Sequence, residues 1–536
     1  MNPALYYLKA FSSDTDHEII IKEFNINQDL KKITGDILSD NWDAVCFSVY
    51  IWNSLIINEI ISDIKRANPE IKIIIGGPEA SNINFDSSNA DFIVKGAGEA
   101  AFRFLLEKNL EHSYKIISIP NPSFDDIIFP RNEYTGMDLT GKYFYYESSR
   151  GCPFKCIYCI SSSGDIKTEF RSLDLVKDEL KFIVRELKPS TVKFVDRTFN
   201  CGNGRHRDIW NFIKSEFNNS DIIFHFEIHP DLLTDDDFKI LKEIPRGLFQ
   251  FEAGIQSVNE KTLSAIKRKS IWKTAKDNLE KIIHQGNIRL HIDLIAGLPE
   301  EDFRGTKHSF NEVYNLKPDY IQLGFLKILN ETEISFRTDE FEIEYNPQLP
   351  FDVHKTKWLS ENEFIHLNKI SDVVNILYND SRFNTTLELL IEYFDTPFDM
   401  FESIANTAAH LQHTKKWEYG AELILNYLKK FHAEMIPFFT DSLRWDWCIY
   451  SELNNYPVIL KSELTKQTRK NIFKYFNSLK NDELVFSGIK IERECLKSAI
   501  FFSPETIDFK EKFLGNNNTA VFLNNGQMLK FNRDYN

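Results

Sequence analysis

Residues Ser149–Cys159 read SRGCPFKCIYC and place three of the chain's seven cysteines, Cys152, Cys156 and Cys159, within eight residues. The surrounding sequence gives the stretch its meaning. From about residue 140 to 330, β-branched and aromatic runs alternate with longer helical patterns. The strand candidates are KYFYYES, STVKFVD, IIFHFEI, GLFQFEAGI, IRLHIDLIAG and DYIQLGFLKIL. Between them, LDLVKDELKFIVREL, RDIWNFIKSEF and TAKDNLEKIIHQG space their apolar residues at helical period. This alternation predicts consecutive βα units, a parallel sheet and, with about six units, a partial barrel. In such a barrel reactive groups collect at the carboxyl ends of the strands. The three cysteines follow the first strand, in a loop containing Gly151 and Pro153.

A chain of 536 residues has room for roughly three or four domains, each with its own core. No apolar run approaches the ~20 residues a membrane span needs. The start, MNPALYYLKAF, lacks the basic and apolar regions of an export signal, so a cytoplasmic protein is expected. A formal charge of -15 argues against a broad basic surface for nucleic acid. An odd number of cysteines without a secretion signal argues against a disulfide framework. Cys46, Cys201, Cys448 and Cys495 lie scattered and read as small core residues.

The CxxxCxxC spacing, in its strand context, resembles the cluster motif of the radical S-adenosylmethionine (SAM) superfamily, and the resemblance extends over the whole middle segment. A cubic four-iron four-sulfur cluster has four corners and is normally held by cysteine thiolates. The resemblance implies that Cys152, Cys156 and Cys159 take three corners. It implies that the amino and carboxylate groups of SAM take the fourth iron, and that an electron from the cluster cleaves a carbon–sulfur bond to give a 5'-deoxyadenosyl radical. Tyr158 matches the aromatic position that packs near the adenine.

Asp196, in FVDRTFN, stands where relatives hold the SAM amino group, although the glycine-rich GGE segment of many relatives is absent. Glu227 in FHFEIHPDLL, Glu252, Gln256 and Ser257 in FEAGIQS, and Asp293, Gly297 and Glu301 in IDLIAGLPEE complete the strand-end set. The last two segments resemble those lining the ribose and adenine pocket, where a few fixed polar groups suit sugar hydroxyls. Each of these residues also has a plain reading as a strand cap or ion-pair partner. For the cysteines the competing reading is zinc, with Cys201 or a histidine as fourth ligand, although no second C-x-x-C pair is present.

Residues 1–125 form a second α/β segment. WDAVCFSVYIW and IKIIIGG read as buried parallel strands, NSLIINEIISDIKRANP as the helix between them, and ADFIVKGAGEAAFRFLLEKN as strand, glycine turn and helix. A doubly wound sheet binds ligands outside the carboxyl ends of its strands. That edge directs attention to Ser48, to Gly76, Gly77 and Pro78 in GGPEAS, and to Gly96 and Gly98 in GAGE. Glycines there let a ligand approach the backbone.

Ahead of a radical SAM barrel, this segment resembles the cobalamin (vitamin B12)-binding domain of one subgroup of that superfamily. Two departures stand out. The DxHxxG signature is absent, since His17 directly follows Asp16. The chain also opens on NPALYYLKAF, which already reads as the first helix, so the first strand of such a domain is missing. The segment is therefore either a cofactor domain or a scaffold whose glycines only make turns.

Beyond residue 345 the alternation stops, and residues 346–536 read as a mainly helical domain of unknown role. ENEFIHLNKISDVVNILYND, TTLELLIEYF, FDMFESIANTAAHLQ and EYGAELILNYLKKFHAEM are amphipathic, and IPFFTDSLRWDWCIY suits a packed helical core. Asn525–Gly526 inside AVFLNNGQMLKF predicts a hairpin. His410, His413 and Trp417 fall at roughly helical spacing.

The expected fold is thus α/β: a Rossmann-like cobalamin-binding-type domain, a partial (β/α)6 radical SAM barrel at 139–340, and a mainly helical C-terminal domain. The expected function is a radical SAM enzyme with a 4Fe-4S cluster, SAM and cobalamin, methylating an unactivated centre. An electron donor such as flavodoxin or ferredoxin is implied as partner, with an unidentified substrate. The alternatives are cobalamin-independent rearrangement, cyclisation or oxidation, and a non-enzymatic metal-binding module. Methylthiotransfer is a further enzymatic alternative, but it typically needs three cluster cysteines in the N-terminal domain, where only Cys46 lies.

Overall fold

Isoleucine-rich runs in the first hundred residues build a small parallel sheet. Its elements are α1 (Pro3–Phe11), α2 (Leu30–Leu38), β1 (Ala44–Ser48), α3 (Ser54–Ala67), β2 (Lys72–Gly76), β3 (Phe92–Val94), α4 (Glu99–Glu107) and β4 (Ile116–Ile117). The computed structural model describes residues 2–80, 86–162, 167–408, 410–412, 414, 416–451, 456–461, 463–478, 485–486, 489–490, 499–523 and 527–531. The strands pair in the order β1-β2-β3-β4, with Ala44 opposite Lys72 and Ser48 opposite Gly76. Alternate side chains leave a strand on opposite faces. Accordingly Ile73 and Ile75 meet Ile33 and Ile37 of α2 and Ile57, Ile60 and Ile64 of α3. Ile74, Phe92 and Val94 meet Phe102, Leu105 and Leu106 of α4 on the other side. Each such side chain contributes about 1.5–3 kcal/mol when fully buried. Helices on both faces make the sheet doubly wound, as expected.

β1 is an edge strand, and among the described residues no strand precedes it. Cys46 on that edge is exposed, which corrects its reading as a core residue.

The second sheet follows. Its strands are β5 (Tyr143–Tyr146), β8 (Thr191–Phe194), β9 (Ile223–Ile228), β10 (Phe249–Gln256), β11 (Arg289–Ala296) and β12 (Tyr320–Phe325), in the spatial order β12-β11-β10-β9-β8-β5. A short antiparallel ribbon, β6 (Ser149–Arg150) and β7 (Glu169–Phe170), lies between β5 and β8 in the chain. From β5 to β11 every neighbour is parallel, so each return is made by a connection such as Leu173–Phe182, Arg205–Phe217, Asp235–Leu241 or Trp272–Gln285.

Aromatic side chains fix which face of this sheet is dry. Phe194, Phe224, Phe226, Phe249 and Phe251 are fully buried, and Trp210 of the helix Arg205–Phe217 stacks on Phe251 at 5.5 Å. Phe226 meets Phe199 at 4.4 Å and Phe194 at 4.7 Å. With period two, the residues between them face the other way: Lys193, His225, Glu227, Glu252, Gly254, Gln256, His291 and Asp293. One side of the curved sheet is therefore apolar and packed on helices, and the inner side is polar.

The chain divides into two units, the first comprising Met1–Glu312, Leu316–Pro318 and Leu323–Phe364, the second Val313–Asn315, Asp319–Gln322 and Ile365–Asn536. Both sheets above belong essentially to the first. The second is mainly helical, with Asn384–Leu390, Pro397–Ala405, Trp417–Phe431 and Ile436–Tyr450 packed around Phe383, Trp417 and Trp447. It also contains a three-stranded antiparallel sheet of Ile500–Phe502, Thr519–Phe522 and Met528–Phe531. The last two strands are the expected hairpin, while Asn525–Gly526, like Cys495 and His413, lies outside the described residues. His410 is not helical, because the helix begins only at Trp417, so the expected helical histidine spacing does not hold. Among the described residues no helix is long and apolar enough to cross a membrane.

Candidate functional site

The cysteine loop is held at its entrance by a buried acid. Asp196, just beyond the carboxyl end of β8, accepts from the Ser148 N–H at 2.9 Å, the Ser148 hydroxyl at 2.7 Å and the Ser149 hydroxyl at 2.5 Å. Burial pushes its carboxyl up, and these donors oppose that by favouring the carboxylate. Gly151 turns the chain with φ of +82°, which suits glycine, and Cys152 follows. Within the loop the Cys159 N–H donates to the Cys156 carbonyl at 3.1 Å. The Ile157 N–H donates to the Ile266 carbonyl at 3.1 Å, and the Ile157 carbonyl accepts from the Ile334 N–H at 2.9 Å.

Cys152, Cys156, Tyr158 and Cys159 open onto one pocket at the carboxyl ends of β8–β11. Four of the anticipated residues, Glu227, Glu252, Gln256 and Asp293, line it with them. Burial and the Glu252 carboxylate push Glu227 up to about 7. Glu252 goes the other way: despite its burial, hydrogen bonding from His225 at 2.8 Å and from Lys193 at 3.0 Å brings it down to about 2. Burial raises Asp293 against the pull of His291, whose Nε2 lies 2.9 Å from it. The pocket thus holds neighbouring carboxylates with separated proton affinities, an arrangement suited to a ligand carrying both an ammonium group and hydroxyls.

Sequence reasoning missed the pocket's cations and its imidazole. Arg268 donates through Nη1 to the Cys156 sulfur at 3.8 Å and through Nη2 to the Gly254 carbonyl. Burial pushes the Cys156 thiol up, and the Arg268 guanidinium opposes that. Arg197 and Thr198 line the same wall, and the Thr198 hydroxyl lies 3.5 Å from the Cys152 sulfur. His229 stacks on Phe154 at 4.6 Å, and burial beside Arg268 brings it down to about 4, so the ring is neutral. IKRKS holds three consecutive basic residues, Lys267, Arg268 and Lys269, and no spacing signal singles out Arg268 among them.

Asp196, Ser257 and Gly297 have other surroundings and do not line the pocket. Ser257 is buried and donates to Glu301 at 2.8 Å. Gly297 has φ of +91°, and a Cβ there would lie 2.6 Å from Phe364 Cζ.

The geometry bears on the choice of metal. Among the described residues, Glu252, His291 and Asp293 are the group whose ligand atoms all fall within 4.8 Å of one another, and the three thiols do not form such a group. A tetrahedral zinc with Zn–S of about 2.3 Å holds its sulfurs about 3.8 Å apart. Among the described residues, the pocket lining brings three thiols together and no fourth, which suits a cluster that keeps one corner open for a ligand. Glu252 is already neutralised by Lys193, so the carboxylate–histidine group reads as a compensated network of the barrel interior.

At the carboxyl edge of the N-terminal sheet, Ser48 and Gly76 are register partners. Asn53 ties that edge, donating to the Ser48 carbonyl at 3.0 Å and accepting from the Tyr50 N–H at 2.7 Å. Gly77 has φ of +101° and packs so closely that a Cβ would lie 2.6 Å from the Val49 carbonyl, and Pro78 follows it. Gly96, at φ of +87°, has open space where its Cβ would be. Of these glycines Gly77 answers a packing need, and Gly96 leaves backbone open to approach.

A doubly wound sheet ahead of a second sheet that is parallel from β5 to β11, with three cysteines after its first strand, matches the fold of radical SAM enzymes that carry an N-terminal B12-binding domain. Residues 146–312 match the family model of the radical SAM superfamily, and residues 2–106 match the B12 binding domain. Residues 339–521 match a family described as "Protein of unknown function (DUF4080)".

Among curated proteins, the chain is 26% identical over 294 residues to "Uncharacterized methyltransferase PH0819" of Pyrococcus horikoshii, covering 48% of this chain and 61% of that protein. It is 23% identical over 312 residues to "Cobalamin-dependent radical SAM methyltransferase TokK" of Streptomyces tokunonensis, covering 49% and 44%. It therefore spans less than two thirds of the length of either. Among solved structures, the cobalamin-dependent SAM radical enzyme OxsB with aqua-cobalamin aligns with a TM-score of 0.56 at 12% identity, over 83% of this chain and 78% of that one. The radical SAM methyltransferase TsrM of Kitasatospora setae, with tryptophan and a SAM analogue, aligns with a TM-score of 0.52 at 14% identity, over 63% and 72%. At these identities the likeness is one of fold.

Proposed function

We propose that the chain is a radical SAM enzyme whose Cys152, Cys156 and Cys159 hold a 4Fe-4S cluster, whose adjoining pocket takes SAM, and whose N-terminal sheet takes cobalamin for methylation of an unactivated centre. The observation that carries the reading is the meeting of the three thiols with Tyr158, Glu227, Glu252, Gln256 and Asp293 around one pocket. The donor set fits the cofactors. Three thiols lining one pocket, with no fourth cysteine among its described lining, suit a cluster with one open corner. Carboxylates together with Arg197 and Arg268 suit a zwitterionic sulfonium. The open Gly96 turn suits a ligand lying against the sheet edge. When bound, the cluster and SAM supply one-electron carbon–sulfur cleavage, and cobalamin supplies a methyl carrier.

The remaining work falls to this chain's residues. Asp196, Ser148 and Ser149 fix the entrance of the cysteine loop. Arg268 offsets thiolate charge at Cys156, and the bulk of Phe154 and neutral His229 excludes water on one side. Glu227, poised near neutrality, holds or releases a proton at its carboxylate. Tyr158 offers an aromatic ring beside the thiols. Ser48, Gly76, Gly77, Pro78 and Gly96 frame the cobalamin side, and Ser257 and Gly297 act through packing. The domains are taken as 1–125, 139–340 and 346–536, the protein as cytoplasmic, and a flavodoxin or ferredoxin as the reductant.

Anaerobic reconstitution with iron, sulfide and hydroxocobalamin, followed by gel filtration and metal analysis, tests the reading. Near-stoichiometric cobalt together with cluster absorption is expected. A cluster without cobalt removes methyl transfer, and zinc without a cluster overturns the whole assignment.

A further inference from the structure

The turn Lys95–Glu99 of the N-terminal domain carries an ion pair at each end, and both pairs reach the frame of the cysteine loop. At one end the buried Glu99 accepts from Arg150 Nη2 at 2.6 Å through one oxygen and from Asn121 Nδ2 at 2.5 Å through the other. Asn121 in turn accepts from the Ala100 N–H at 2.9 Å, so the start of α4 is pinned. Arg150 also donates through Nε to Glu147 at 2.9 Å and lies 4.5 Å over the Phe124 ring. Only Gly151 separates it from Cys152. At the other end Lys95 reaches Glu331 at 2.6 Å, three residues before Ile334, whose N–H holds the Ile157 carbonyl between Cys156 and Tyr158.

Between these two anchors lies Gly96, the open glycine at the sheet's carboxyl edge. A shift of this turn toward or away from a ligand drags Arg150 on one side and the Glu331–Ile334 segment on the other. The Glu99–Arg150 pair, with its carboxylate buried and both oxygens engaged, has discrete arrangements and resists gradual deformation, whereas the Lys95–Glu331 pair is exposed.

We propose that Arg150 is a positioning residue that couples the carboxyl edge of the N-terminal sheet to the cysteine loop, so that a ligand over Gly96 and a cluster at Cys152 favour each other's binding. The inference rests on the functional reading for the identity of the two ligands. Coupling of this kind is reciprocal, and its usual size is about 5–150-fold in affinity.

The experiment is an anaerobic titration of hydroxocobalamin into the full chain, before and after cluster reconstitution, followed by its absorption spectrum. In the wild type the cluster tightens hydroxocobalamin binding by about fivefold or more. In Arg150→Met and in Glu99→Gln the ratio falls to about one, while Arg150→Lys, which keeps the charge but not both contacts, lies between. Should Arg150→Met not fold, the exposed pair gives a second route: Lys95→Ala also lowers the ratio. A purely structural bridge predicts lower stability with the ratio unchanged, and that result overturns the proposal, as does a wild-type ratio of one. A wild type that retains no iron or no cobalt fails differently, because it removes the functional reading itself.

Discussion

Arg268 faces the Cys156 sulfur at 3.8 Å with a half-buried guanidinium whose other nitrogen holds the Gly254 carbonyl. A fixed positive charge beside a cluster ligand favours the state with one more electron, and low local polarity strengthens the effect. Arg268→Met is expected to lower the cluster midpoint potential by about 60 mV or more, a tenfold change for one electron. Arg268→Lys recovers part of the shift. A titration followed by electron paramagnetic resonance reads both, and an unmoved potential would leave Arg268 with packing alone.

Cys156 and Cys201 separate the cluster reading from the zinc reading. Cys156 lines the pocket, whereas Cys201 sits outside its lining, in the turn Phe199–Cys201. Cys156→Ala is expected to lose nearly all bound iron and SAM cleavage while far-ultraviolet circular dichroism stays close to wild type. Cys201→Ser is expected to keep its iron. Loss of metal on changing Cys201 would instead support a four-ligand zinc site.

The parts of this molecule set by periodicity were legible from its sequence. Alternating runs such as FQFEAGI and RLHIDLIA place both strands and polar inner faces, because strand period two leaves a single way to bury Phe249, Phe251 and Leu290. The helical pattern beyond residue 345 and the closing hairpin were readable for the same reason. Long-range partners were not. Nothing local to FVDRTFN says that Asp196 will be consumed by Ser148 and Ser149, nor does IKRKS announce that Arg268 will reach a cysteine 112 residues away. The exposure of Cys46 was hidden because an edge strand and a central strand share one composition, and only pairing order distinguishes them.

Glu301 sets a pH dependence whose sign is fixed. Burial pushes it up to about 7 against the hydrogen bonds from Ser257 and Ser309, both at 2.8 Å. Between the ordinary carboxylate range and pH 7, the folded chain therefore binds more protons than the unfolded one. Stability is full at low pH in this respect and falls as pH rises through that window. The loss for this one group is about 1–3 kcal/mol at pH 8. Glu301→Gln keeps an acceptor for both serines and removes the titration. It is expected to be more stable than wild type at pH 8 and to lose that advantage at pH 5, which urea unfolding of the cofactor-free protein at the two values would measure.

Gly297 tests whether a position resembling a ligand pocket is instead a packing requirement. At φ of +91° any side chain is strained, and a Cβ would fall 2.6 Å from Phe364 Cζ and 3.5 Å from Leu326 Cβ. Backbone strain and overpacking each cost about 1–3 kcal/mol. Gly297→Ala should therefore destabilise the cofactor-free protein by about 2–4 kcal/mol. Gly96→Ala shares the positive φ, at +87°, but has open space at its Cβ, so it should lose only the backbone part, about 1 kcal/mol. Urea midpoints of the two variants side by side give the comparison. If Gly297→Ala melts like wild type yet binds SAM more weakly, the glycine serves the ligand. If its stability falls as expected while SAM affinity follows the remaining folded fraction, it serves the Phe364 contact.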